Sequence, residues 1–291
     1  MTRTLTVAEP EDGTYLYAIT RQLDPAELRG VRGVDGERPR LVEGSGLRAI
    51  VGTVDLARFR RPPDRGLGDV DDLRSVEAVL RAHHRVVQAV AGTAAVVPLR
   101  LGTVYRDDGR VREVLDERRA DFEQALSRVT GRTEWGVKVS ATPEAFAGDP
   151  GVAGDARDPG DTAAEARPAP EAGASDRPGT EYLRRRREDE RSRQEGWDRA
   201  AAFAEEVHAT LAGVAVESRR HSPQDPRLSG QAGWMLLNGA YLVDHGREAG
   251  LVAVVDRFDD PDGGVRVELT GPWAPYSFTE AEGGAEEGGH R

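Results

Sequence analysis

The chain has 291 residues, no cysteine, a formal net charge of -11 and a pI near 5.2. Such an acidic balance repels nucleic-acid backbones and anionic membranes, and the absence of cysteine removes disulfides, thiolate metal sites and cysteine nucleophiles. No apolar leader opens the sequence and no window approaches the roughly 18 apolar residues of a membrane span, so it reads as a soluble cytoplasmic protein long enough for two domains.

Residues 1–12 are polar and expected to fray. Tyr15, Leu16, Tyr17, Ala18 and Ile19 then form a strand rich in β-formers and covered on both faces. Residues 24–40 are turn-rich, with Gly30, Gly33 and Gly36. Residues 41–42 and 47–54 flank Glu43-Gly44-Ser45-Gly46 as a hairpin. A loop holding Pro62 and Pro63 leads to a helix over 71–91, whose buried stripe is expected at Leu73, Val76, Leu80, His83, Val87 and Val90. The apolar run 94–105 is broken by Pro98 and Gly102 and reads as a kinked or edge strand. One helix is expected over 110–129, with Val111, Val114, Leu115, Phe122, Leu126 and Val129 inward and Gly131 ending it. The next strand, 133–141, puts Trp135, Val137 and Val139 on one face.

Residues 142–179 are rich in Ala, Gly, Pro and acidic residues and nearly free of bulky apolar ones; such a segment cannot repay its ordering entropy and is expected to be disordered. A long helix starts at Thr180, mixed in charge at first and then apolar at Trp197, Ala201, Ala204, Val207 and Leu211. Strand-like 214–220, loop 222–230, the very apolar strand 234–243 and a helix over 247–258 follow. The last strand, from Val265, should stop at Gly271 and Pro272. Beyond it Trp273, Tyr276 and Phe278 concentrate aromatic area in a chain with 5% aromatic residues. These three are the candidate partner-binding residues, with packing of the chain end as the alternative.

The fold class is α+β. An N-terminal α+β domain is expected over 13–131 and a modified ferredoxin-like domain over 132–278, because the second half runs β-α-β-β-α-β. Strand 234–243 would be central. Lys138, Ser140, Glu217, Arg219, Arg266 and Glu268 would make one sheet face mostly wet, and 279–291 would be a disordered acidic tail.

No catalytic, cofactor-binding or metal site emerges. His83 and His84 point about 100° apart on a helix and cannot share a metal from one face; His83 reads as a core histidine. His208, His221, His245 and His290 show no ligand spacing. Gly30, Gly33 and Gly36 lack the lysine and helix start of a phosphate cradle. Glu113, Glu117 and Asp121 form a solvated stripe where nothing raises a carboxylate pKa. Arg184 to Arg187 are cancelled by Glu188, Asp189 and Glu190.

Six segments recur in a familiar order. They are Tyr15 to Ile19, His84 with Val86 and Val87, 97–104 (VPLRLGTV), 134–139 (EWGVKV), 240–243 (AYLV) and 269–278 (LTGPWAPYSF). In this spacing the chain resembles the gas-vesicle accessory proteins of the F/L type, GvpL/GvpF. It departs from that pattern at Leu101, where phenylalanine is common, at Ala274, where a second proline is common, and in the length of its insertion. The resemblance implies a two-domain, non-enzymatic protein without cofactors. It would be a minor structural component or assembly factor of gas vesicles, located with them in the cytoplasm. Its expected partners are the hydrophobic major shell protein and other accessory proteins, not nucleic acid or membrane. The rival reading is a small-molecule-binding regulatory protein, since ferredoxin-like sheets often hold ligands between domains.

Overall fold

The computed structural model describes residues 12–56, 70–147, 178–222 and 233–279; the expected frayed start, most of the insertion, most of loop 222–230 and all but Thr279 of the acidic tail lie outside them. The first sheet is organised on β1 (Asp12–Thr20), with Tyr15 to Ile19 fully buried. Its neighbours are β2 (Arg40–Gly44) and β3 (Leu47–Asp55), in the antiparallel order β2-β3-β1, and then β4 (Val97–Pro98) and β5 (Val104–Tyr105) on its free edge. Ser45 and Gly46 both take positive φ, 52° and 80°, which matches the twist of a two-residue hairpin. The run 94–105 is thus two short edge pairings separated by a turn. Pro98 sits on the outer strand, where its missing N–H costs no ladder bond.

Two helical layers cover this sheet. α1 (Val70–Ala91) packs Ala82, Val86, Val87 and Val90 against Tyr15, Tyr17 and Ile50. The expected stripe is half right. His83, Val87 and Val90 are buried, but Val76 and Leu80 are each 50% exposed and the Leu73 side chain lies outside the described set. Val76 and Leu80 keep the apolar spacing of the stripe yet meet solvent instead of the core. On the other face, the single helix expected over 110–129 is two: α2 (Asp108–Glu117) and α3 (Arg119–Val129). The chain leaves helical angles at Arg118 (φ -110°, ψ 21°). The bend lets Val111, Val114 and Leu115 on one side, and Phe122 and Leu126 on the other, reach the same core as Leu16, Ile19 and Val51.

The second sheet contains β6 (Arg132–Ala141), β7 (Glu217–Arg220), β8 (Trp234–Asp244) and β9 (Val265–Trp273), ordered β7-β8-β6-β9 with every neighbour antiparallel. α4 (Pro178–Val214) and α5 (Glu248–Phe258) pack on one face through Val207, Leu211, Leu251 and Val255 against Val137, Val139 and Tyr241. Both ends of the segment expected to be disordered, 142–179, are ordered, and residues 148–177 lie outside the described ones. Pro143–Phe146 forms a 3-10 turn whose Phe146 ring lies 5.6 Å from Phe203, and α4 already starts at Pro178. Along α4 the buried line is Ala200, Ala204, Val207 and Leu211, not the expected Trp197 and Ala201. Trp197 instead stacks on Trp234 at 3.8 Å and stays 46% exposed. Among the described residues no helix is long and apolar enough to cross a membrane.

Candidate partner-binding surface

β9 does not stop at Gly271. Pairing resumes beyond an irregularity opposite Glu134 and Gly136, and Trp273 sits opposite Glu134. Gly271 has φ 132°, and a Cβ there would come within 3.0 Å of the Trp135 ring and 3.2 Å of the Glu134 carbonyl oxygen, so only glycine fits the crossing. The chain then leaves the second sheet and enters the first core. Ala274 is fully buried there and Tyr276 packs against the same cluster. In the short helix α6 (Tyr276–Thr279), Phe278 is fully buried between Val129 of α3 and Ala240 and Leu242 of β8. The face of the second sheet expected to be wet is therefore wet only in part: Arg266 and Glu268 are exposed, while the end near β8 is covered by α3 and α6.

Two buried polar groups hold this seam. Glu134 accepts the Ser277 N–H at 2.8 Å on Oε2 and the Ser277 hydroxyl at 2.7 Å on Oε1. Burial raises its pKa, opposed by those hydrogen bonds and by Arg219. Glu134 shares the two-residue parity of Lys138 and Ser140, and no local signal in the sequence marks the segment that covers it. His83 stands within 5.7 Å of the Tyr15 and Tyr17 rings and 6.2 Å of Tyr276. The Tyr15 hydroxyl accepts from Gly102 N–H at 3.0 Å and pairs with His83 Nδ1 at 3.0 Å. Nε2 has no hydrogen bond of normal geometry among the described residues. Burial, then the neighbouring His84, push the His83 pKa down to about 4, and the Leu99 carbonyl opposes this weakly.

The three aromatic candidates thus separate. Phe278 and Tyr276 serve the seam, whereas Trp273 is 39% exposed, its Nε1 donating to Thr270 Oγ1 at 3.3 Å and its ring 5.4 Å from His84. Val76, Leu80 and His84 follow one another at four-residue steps along one edge of α1, so Trp273 prolongs an exposed apolar ridge that begins at Val76. Beside it lies a cleft of about 230 Å³ bordered by Gln88, Ala95, Val129, His245, Pro272 and Trp273.

The remaining candidates stay apart. Glu113 and Glu117 are both bridged by Arg110, at 3.0 and 2.9 Å, and its hydrogen bond lowers the Glu117 pKa, the opposite of a general acid. Among the described residues no group of three or more His, Asp or Glu side chains is placed to hold a metal.

Comparison with known proteins gives a consistent result. The family model described as "Gas vesicle synthesis protein GvpL/GvpF" matches residues 13–280. Gas vesicle protein L of Streptomyces sp. (strain CB03234) is 42% identical over 276 residues, 95% of each chain, and gas vesicle protein F of the same strain is 28% identical over 92% of this chain and 99% of that one. The crystal structure of GvpF from Anabaena sp. PCC7120 superposes with a TM-score of 0.60 at 16% identity, covering 96% of this chain and all of that one. GvpF from Microcystis aeruginosa gives 0.59 at 17% identity, over 92% and 99%. The mixed α and β architecture is shared with both, and the chain belongs to the gas vesicle synthesis protein GvpL/GvpF family.

Proposed function

We propose that this chain is a non-enzymatic assembly or minor structural protein of gas vesicles. It binds the hydrophobic major shell protein, works alongside other accessory proteins and stays with the vesicle in the cytoplasm. The observation that carries this reading is the ridge of Val76, Leu80 and Trp273, apolar side chains held open to solvent at the edge of an otherwise sealed seam. A soluble acidic body presenting one apolar strip suits a partner that would aggregate alone. Within this reading Trp273 makes the contact, and Tyr276 and Phe278 position it.

The same reading divides the chain at 131. An α+β domain spans 13–131, and 132–278 form a ferredoxin-like domain, supported by the β-α-β-β-α-β succession and the order β7-β8-β6-β9. The small-molecule alternative places its ligand between the domains, and the cleft there, about 230 Å³, falls below the ~300 Å³ at which ligand pockets usually begin. Deleting the gene from a vesicle-forming host tests the role. Loss of vesicles by electron microscopy, restored by the wild-type gene, is expected; undiminished vesicles would contradict it.

A further inference from the structure

The glycine turn that lacks a phosphate cradle's signature has another use. Residues 32–36 face the side of α1 away from the apolar ridge, and the space between them is a cavity of about 390 Å³ bordered by Arg32, Arg81 and Arg85. A second cavity of about 310 Å³ meets it at Arg32 and is bordered also by Arg29 and Arg38. Among the described residues, Asp35 is the one acidic side chain that borders either space. Five arginines therefore border two neighbouring spaces that share Arg32, in a chain whose formal net charge is -11.

The groove is also fixed in place. The Val34 N–H donates to the buried Tyr17 hydroxyl at 2.7 Å, and a Cβ on Gly33 would fall 2.2 Å from that oxygen, so the turn is clamped onto β1. Asp35 and Gly36 hold positive φ, 57° and 76°. Arg85 donates to the Arg32 carbonyl at 3.2 Å, tying α1 to the turn. Arg81 lies 3.6 Å from Glu77, beyond normal hydrogen-bond length. Arginine forks match carboxylates two bonds at a time, and of these side chains Arg85 is already held against the turn.

We infer that this groove binds an acidic, extended polypeptide segment of a partner, its carboxylates paired by Arg32, Arg85 and Arg81 in turn. Two spaces that share Arg32, about 390 and 310 Å³, exceed what one small anion fills. This does not rest on the apolar ridge and involves the opposite side of α1.

The test uses the full chain and a fluorescent oligoglutamate peptide, followed by anisotropy at low and moderate salt. Binding that weakens with salt, falls about tenfold or more in Arg32→Ala/Arg85→Ala, and survives in Arg112→Ala/Arg119→Ala on α2 and α3 is expected. Arg29→Ala/Arg38→Ala, which leaves the Arg85 tie intact, must weaken binding too, with unchanged thermal melting. No binding at low salt, or an equal loss in the α2/α3 control pair, overturns the inference. Binding of tripolyphosphate with none of oligoglutamate also overturns it and assigns the groove to small anions.

Discussion

His83 and Glu134 sit at the same seam and respond to acid in opposite senses. The folded-state pKa of His83 is depressed to about 4 from 6.5, so its contribution is fully present above pH 6.5 and is lost as pH falls toward 4, up to about 3 kcal/mol. Glu134 is raised, so its unfavourable contribution at neutral pH shrinks as pH falls. The two are separated by substitution. His83→Leu leaves the Tyr15 hydroxyl bonded to Gly102, and it should remove the histidine component. The stability difference between wild type and His83→Leu, from urea unfolding, should fall by about 3 kcal/mol between pH 7 and pH 4. A difference independent of pH would show that His83 is not buried neutral. The sequence disclosed half of this pair. A histidine on an apolar helical stripe reads as core, while Glu134 looks solvated because its cover arrives from residues 274–278, more than a hundred positions away.

At the level of elements, regular periodicity was legible and its partners were not. The strand at β1, the hairpin, the split of strands and helices in the second half and the glycine after α3 all follow from local pattern. Val76 and Leu80 carry the same helical spacing as Val87 and Val90 yet stay half exposed, because spacing fixes a face and not what meets it. Arg118 carries no proline or glycine to announce a bend; the curvature of the core surface imposes it. The continuation of β9 through Gly271 was hidden for a related reason, since the strand tolerates the crossing only because Trp135 and Glu134 leave room for a residue without a side chain. The segment after it acts as a bolt. Phe278→Ala should cost about 3–5 kcal/mol, because the ring is fully buried among Val129, Ala240 and Leu242 and the site is closed by three elements. Differential scanning calorimetry reads the loss; a change under about 1 kcal/mol would mean the bolt is not engaged.

For the whole molecule, the segment 274–278 packs on both halves and sets Trp273 at an exposed apolar surface. Trp273 is anchored by its hydrogen bond to Thr270 and by contact with His84, so it is held outward rather than left to collapse. Composition alone pointed to an acidic soluble body, and the family segments pointed to gas vesicles. Neither distinguished Trp273 from Tyr276 and Phe278, because exposure is decided by which core each ring meets. The measurement that bears most directly on this account is co-purification of the major shell protein with tagged full-length chain, comparing wild type with Trp273→Ala and Leu80→Ser. Wild type should retain the shell protein and both variants should lose it while melting within a few degrees of wild type. Equal retention by all three, or no retention by wild type, would contradict the account.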